Sequence, residues 1–459
     1  MSQSISQDFE MQTTDRISST HPRDQIESAG IPSVLIVADN CSLRFGGEAS
    51  LPYHYFRLLW KRGAEVHLVT HERCRRELES AFPGARDRLH FIRDNLLHKA
   101  MYAVGRRLPH RLDRASSGLL SRIDVQVRQR WLIRRLVREK GIRIVHQPCP
   151  VTPAEPSMIL GVGAPVVIGP MNGGMDFPEG FRERESRIAR TAVWVGRRLR
   201  HLINWLIPGK LHARILMVAN PRTRQMLPRG LRGEVLELEE NGVDLSVWQT
   251  PERRSEPRDG LVRFVYLGRL VDWKGVDLLL EAWSAIHGLI SANLQIIGDG
   301  PMRGQLEALS KRLGLTDSVR FTGMLAQSEC AKHLAEADAL ILPSLMECGG
   351  SAVLEAMAMG LPVIATRWGG PADYLDDTCG LLISPESHAS FVAALAAAIR
   401  QLHGSRDLRQ QLGSAARRKV IGKYSWDAKI DRIIEVYRKA VVRSGGRGSW
   451  DEQPDAASN

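Results

Sequence analysis

The chain has 459 residues, 43% of them apolar and 25% charged, the composition of a globular protein and not of a collagen, a coiled coil or a mucin. Its six scattered cysteines (Cys41, Cys74, Cys149, Cys330, Cys348, Cys379) form no C-x-x-C pair and no Cys/His cluster at zinc spacing, so we expect no structural metal and a reducing compartment. No stretch approaches the roughly 20 uninterrupted apolar residues that cross a bilayer, and residues 1–30 are a polar leader without a signal-peptide pattern, expected to be disordered. A cytoplasmic protein, soluble or peripheral on the inner face of a membrane, is the expectation.

Of the net charge of +12, about +15 lies in residues 31–245, about −3 in the leader and about 0 beyond residue 246. A basic first half fits an anionic membrane or substrate, or a solvated arginine-rich surface. Nucleic acid is not expected, because no helix-turn-helix, finger or aromatic-rich RNA-binding motif occurs.

The apolar run 33–39 (SVLIVAD) reads as a strand, the loop Arg44-Phe45-Gly46-Gly47-Glu48 follows, and the periodic stretch 49–63 reads as a helix. Residues 64–70 form a second strand, the arginine-rich region from about 90 to 140 reads as helices, and strands follow at 141–146, 164–169, 213–220 and 235–244. The charged stretch 251–260 marks a domain boundary. The pattern then restarts, with strands at 262–268, 292–298, 319–323, 339–344, 362–367 and 380–384 separated by helical stretches, and long helices over 386–442. Alternating strands and helices predict an α/β fold: two Rossmann-like, doubly wound parallel-sheet domains (31–250 and 251–425), a final helix at 426–442 and a flexible tail at 443–459. Ligands in such sheets sit beyond the carboxyl ends of the strands, so the predicted site is the central cleft between the domains.

Gly298-Asp299-Gly300-Pro301 follows a strand, but its next glycine is Gly304, the wrong spacing for a dinucleotide fingerprint. We read it as a tight turn with Pro301 at the start of a helix. No P-loop, H-E-x-x-H, G-x-S-x-G or D-x-D motif occurs.

The informative segment is Glu347-Cys348-Gly349-Gly350-Ser351-Ala352-Val353-Leu354-Glu355, a glycine loop that follows a strand and opens a helix. Open backbone N–H groups and the positive end of a helix suit a phosphate. Glu355, just inside that helix, is placed to accept hydrogen bonds from vicinal ribose hydroxyls. Arg269 and Lys274 follow the first strand of the same domain, and two cations five residues apart around a turn can clamp a diphosphate and stabilise its departure.

Residues 262–380 strongly resemble the retaining, nucleotide-sugar-dependent glycosyltransferases of family 4 (GT-B fold, glycosyl transferases group 1). The likeness rests on the G-R-x(4)-K-G loop at 268–275, GDGP, VRFTG, the E-x(7)-E pair and EAMAMGLPVIAT. It extends more loosely to the Gly46-Gly47 loop, His146 and Asn241-Gly242-Val243-Asp244, and spans nearly all of 31–430. The resemblance implies a donor, UDP- or GDP-sugar, held by the second domain, an acceptor site in the first, and a final helix that crosses back. By position it assigns Arg269 and Lys274 to the diphosphate, Glu347 to the transferred sugar, Glu355 to the ribose, and Gly46, Gly47, Cys348, Gly349, Gly350 and Ser351 to donor binding, with His146 near the reacting sugar. An aromatic or bulky residue common in the family is replaced by the Cys348-Gly349-Gly350 run. Cys348 has no paired base in sequence and reads as a small loop residue.

The resemblance also implies a metal-independent hexosyl transfer by front-face displacement, with a role in cell-surface polysaccharide, exopolysaccharide or glycolipid assembly. Arg44 is a candidate for an acceptor phosphate, and Asn172 and Asp176 for acceptor hydroxyls. Residues 192–207, AVWVGRRLRHLINWLI, place Trp194, Val195, Leu199, Leu202, Ile203 and Leu206 on one face with Arg197, Arg198 and Arg200 at its flank. A Trp194–Ile207 helix of this kind docks on an anionic membrane or packs on its own domain. A sugar-nucleotide epimerase of like fold and a non-catalytic nucleotide-sugar-binding protein remain as alternatives.

Overall fold

The computed structural model describes residues 30–44, 47–93, 117–185, 187–250 and 260–442. The expectations for the leader, for Gly46 and for the 443–459 tail lie outside them.

Two sheets organise the described residues. The first joins β1 (Val34–Val37), β2 (Val66–His71), β3 (Leu89–Ile92), β4 (Ile144–Gln147), β5 (Val166–Met171), β6 (Ile215–Val218) and β7 (Glu234–Glu237) in the order 3-2-1-4-5-6-7. The second joins β8 (Val262–Leu267), β9 (Ala292–Ile297), β10 (Val319–Gly323), β11 (Ala339–Leu342), β12 (Val363–Thr366) and β13 (Gly380–Ile383) in the order 10-9-8-11-12-13. Pairing is parallel throughout, with Val34 opposite both Val66 and Ile144, and Phe264 opposite both Leu294 and Ala339. The central strands are β-branched runs buried on both faces, as helix-covered parallel sheets require; Val34–Val37 is buried at every position.

The helices that shape the site and its surroundings are α1 (Gly47–Lys61), α2 (Ser117–Lys140), α3 (Arg187–Leu206), α4 (Val276–Ser284), α5 (Ser351–Ala358) and α6 (Trp426–Val442). α6 lies on the first domain: Ile430, Ile433 and Tyr437 share a core with Val34, Ile36, Tyr55 and Leu59. Phe177, Phe181, Val243 and Trp248 pack in turn with the second domain's core, so apolar contact joins the two halves.

Three local expectations are corrected. Within the 90–140 region read as helices, residues 89–92 form edge strand β3, whose four residues are too few to show a period between arginine-rich flanks. Pro301 does not open a helix: the next helix begins at Arg303, and Pro301 stands in the turn before it. In α3, Ile203 is half-buried while Trp194, Val195, Leu199, Leu202 and Leu206 are exposed, so the outward apolar face lacks Ile203 and gains Trp205. Among the described residues no helix is long and apolar enough to cross a membrane.

Candidate active site

In each sheet the strand order reverses between the first and fourth strands, the place where loops part to admit a ligand. In the second domain the loops after β8 and β11 meet at this point. Gly275 takes a left-handed conformation (φ 66°) where a Cβ would overlap the Pro343 carbonyl, so only glycine lets the two loops touch. Gly350 (φ 83°) makes the second such turn and leads into α5.

These loops and the first domain enclose a cavity of about 450 Å³. Arg269, Lys274, Glu347, Gly350, Ser351 and Glu355 line its second-domain wall, so both cations and both glutamates face one space. Lys274 Nζ donates to Glu347 Oε2, a largely buried ion pair. Arg269 is exposed and has no carboxylate partner among the described residues, leaving its guanidinium free for an anion. α5 starts on the same wall, and the first N–H groups of a helix lack intrahelical partners. Glu355, one turn along, is half-buried, and burial pushes its carboxyl up to about 7.

Gly47, Ser50 and His54 of α1 form the opposite wall, and Asn241, Asp244 and Trp426 close the side between the domains. Sequence reasoning missed His54, because it lies in a periodic stretch read only as a helix. Its ring stacks on Trp426 with centroids 4.6 Å apart, and Arg57, three residues on, pairs with Asp244 at 2.5 Å. Burial, with Arg57 adding to it, lowers the His54 pKa to about 4, so the ring is neutral at pH 7.

Several predicted residues lie elsewhere. His146 is fully buried under α6: Nε2 donates to the Gly169 carbonyl at 2.7 Å and Nδ1 accepts from the Tyr437 hydroxyl at 2.7 Å. It does not line the cavity, and its strand-end position serves packing. Asn172 is 4% exposed and its carboxamide is engaged, Nδ2 donating to the Cys348 carbonyl at 2.8 Å and Oδ1 accepting from Asn220 and Thr223. It fastens the loop at Cys348 to the first domain and has no free face toward the cavity. Asp176 is bound by both terminal nitrogens of Arg197, at 2.9 and 2.7 Å, outside the cavity wall. Arg44 is exposed and does not line the cavity.

Cys348 and Gly349 do not line the cavity. Burial and the neighbouring Glu240 and Glu347 push the Cys348 thiol up to about 11, which removes it as a nucleophile at neutral pH. Gly349 lies so close to Glu240 and Asn241 that a Cβ would overlap both side chains. No cluster of three or more metal-ligating side chains occurs among the described residues.

Residues 249–419 match the family described as Glycosyl transferases group 1. Among curated proteins, MMP alpha-(1->4)-mannosyltransferase of Mycolicibacterium hassiacum is 29% identical over 272 residues, which is 57% of this chain and 64% of that one. The chain spans about half the length of the curated relatives it matches. Among solved structures, a glycosyltransferase of Rickettsia africae superposes with a TM-score of 0.61 at 16% identity, over 89% of this chain and 98% of that one. Anabaena HepE in complex with UDP and glucose superposes with a TM-score of 0.57 at 16% identity, over 88% and 99%. At such identity these two structures establish the fold alone. The chain has the GT-B architecture, and its second domain carries the match to the group 1 glycosyl transferases.

Proposed function

We propose that this protein is a retaining glycosyltransferase that moves a sugar from a nucleoside-diphosphate sugar to a hydroxyl of a glycan or lipid-linked acceptor, in cell-surface polysaccharide or glycolipid assembly. The observation that carries the reading is the convergence of Arg269, Lys274, Glu347 and Glu355 on one cavity beside the start of α5. That HepE was solved with UDP and glucose supports UDP as the nucleotide.

In this reading the diphosphate lies between Arg269, Lys274 and the first N–H groups of α5. Lys274 then exchanges part of its pairing with Glu347 for the phosphate, and Glu347 turns to the sugar hydroxyls. Glu355 accepts from the ribose hydroxyls. As the sugar–phosphate bond breaks, negative charge grows on the leaving oxygen, and the two cations stabilise it more than they do the ground state. The acceptor oxygen attacks the anomeric carbon from the face the phosphate leaves, and the acceptor proton passes to that phosphate. The protein contributes position and charge, and the residues assigned need no metal to do so.

The exposed apolar face of α3 supports a peripheral location on an anionic membrane, where a lipid-linked acceptor is met. The deciding experiment is nucleoside-diphosphate release from a panel of UDP-, GDP- and ADP-sugars. Release from one donor, lost in Glu347→Ala, is expected. No release and no donor binding by calorimetry would sink the reading, and interconversion of sugars without a new glycosidic bond would point to an epimerase.

A further inference from the structure

The α1 wall of the cavity has a composition of its own. Its polar side chains are the Ser50 hydroxyl, which donates to the Gly47 carbonyl at 2.6 Å, and the His54 imidazole. Asp244, also on the cavity surface, is already occupied: Oδ2 takes Arg57 and Oδ1 takes the Ser246 amide and hydroxyl. Arg57 is not on the cavity surface, and Lys429, buried below, is turned onto the carbonyls of Glu239, Glu240 and Asn241. The cations that line the cavity, Arg269 and Lys274, both stand on the opposite wall.

His54 is built to hold one orientation. Its ring is stacked on Trp426 and met edge-on by Tyr53, with centroids 4.6 and 5.8 Å away. The Arg57 guanidinium sits 3.5 Å from Nδ1, and a guanidinium only donates, so Nδ1 is the bare nitrogen and Nε2 carries the proton. Nε2 has no partner among the described residues. A neutral N–H donor on a fixed ring, among described α1 residues that bring no charged side chain to the cavity, suits a sugar hydroxyl or ring oxygen.

We propose that His54 is an acceptor-positioning residue: its Nε2–H donates to an oxygen of a neutral glycosyl unit, and the α1 wall selects acceptors whose reacting sugar carries no phosphate or carboxylate. The inference rests on the transferase reading. The acceptor's own proton still goes to the leaving phosphate, since Nε2 already bears one and cannot take it.

The test uses the full chain and the donor that the release panel identifies, with octyl glycosides of glucose, galactose, mannose and N-acetylglucosamine as neutral acceptors and the matching sugar 6-phosphates as charged ones. Wild type is expected to glycosylate at least one neutral glycoside in preference to the phosphates. His54→Phe, which keeps the stack on Trp426 but lacks the N–H, is expected to lose roughly tenfold in kcat/KM for that acceptor, the effect of one neutral hydrogen bond. Each rate is divided by the same variant's donor hydrolysis, with water in place of the acceptor, so that the loss read is the loss in transfer, and His54→Gln, which restores an N–H, is expected to recover most of it. Transfer by His54→Phe equal to wild type, preference for a phosphorylated sugar, or refusal of every neutral glycoside would overturn the proposal while donor hydrolysis keeps the transferase reading intact. Absence of donor hydrolysis and donor binding in wild type would instead remove both.

Discussion

Tyr437, on the last helix of the described chain, donates its hydroxyl proton to Nδ1 of His146, on the fourth strand of the first sheet, across 291 positions of sequence. The other ring nitrogen is spent on Gly169, and both residues are fully buried. This bond fixes the neutral tautomer of His146 and ties α6 to the first domain. Burial lowers the His146 pKa to about 4, so the ring does not titrate near neutrality.

Tyr437→Phe keeps the ring and removes one donor, leaving Nδ1 a buried acceptor without a partner. A loss of about 1–3 kcal/mol in unfolding free energy is expected, measured by urea denaturation at pH 7. Donor affinity, read by calorimetry with the active nucleotide sugar, is expected to stay within about twofold. A variant as stable as wild type would mean that water or a rearranged side chain meets Nδ1.

Lys274 carries the electrostatic part of the proposed chemistry. Lys274→Ala is expected to lower kcat for donor hydrolysis roughly 10²-fold, the scale of removing one donor to transition-state charge. Its removal also leaves Glu347 without its partner in a largely buried place, so a drop in thermal midpoint is expected beside the kinetic loss. Full activity in a folded variant would take Lys274 out of the site.

The alternation of buried β-branched runs and helical stretches made both sheets legible, and the E-x(7)-E and G-R-x(4)-K-G spacings made the second-domain wall legible, because each motif lies within one strand–loop–helix unit. The first-domain wall was not legible in the same way. His54 belongs to the site only because α6 returns from the far end of the chain to put Trp426 on its ring and because residue 244 reaches back to Arg57. His146 misled for the converse reason: a strand end looks like a cleft until Tyr437 covers it. Asn172 and Asp176 stand in a loop that follows a strand end, yet their side chains are taken by partners 176 and 21 positions away, which no local pattern reveals.

Glu355 joins function to stability with opposite signs. Its folded pKa, about 7, lies above the ordinary carboxylate value, so the native state binds more protons than the unfolded chain between about pH 4.5 and 7. Its contribution to stability is therefore greatest below that window, falls as pH rises from about 4.5 to 7, and levels off above it. Glu355→Gln is expected to raise the thermal midpoint at pH 8 relative to wild type, with the difference shrinking toward pH 4.5, while KM for the nucleotide sugar rises roughly tenfold through the lost ribose contact. Melting curves across pH 4.5–8 check the first half and initial rates the second. A midpoint difference independent of pH would mean that Glu355 ionises normally in the folded protein.

The last prediction concerns α3. Trp194, Leu202, Trp205 and Leu206 are each more than half exposed, at 56, 52, 69 and 63%, a cluster of large apolar groups that a protein surface in water seldom carries. The arginines expected to flank them are divided: Arg198 lies over the Trp194 ring at 4.8 Å, whereas Arg197 is bound to Asp176 and Arg200 is turned in toward Met226. In the proposed membrane contact, insertion of the apolar face is therefore expected to contribute more than coulombic attraction. Full-length protein is expected to co-sediment with vesicles of mixed neutral and anionic phospholipid, with only a few-fold loss when ionic strength is raised enough to screen surface charge. Trp194→Ser with Trp205→Ser is expected to reduce binding at least tenfold, since burying a large apolar side chain is worth about 1.5–3 kcal/mol. Light scattering on the lipid-free protein supplies the other arm. A dimer that the same double variant dissociates, together with no vesicle binding, would assign the face to a second copy of the chain.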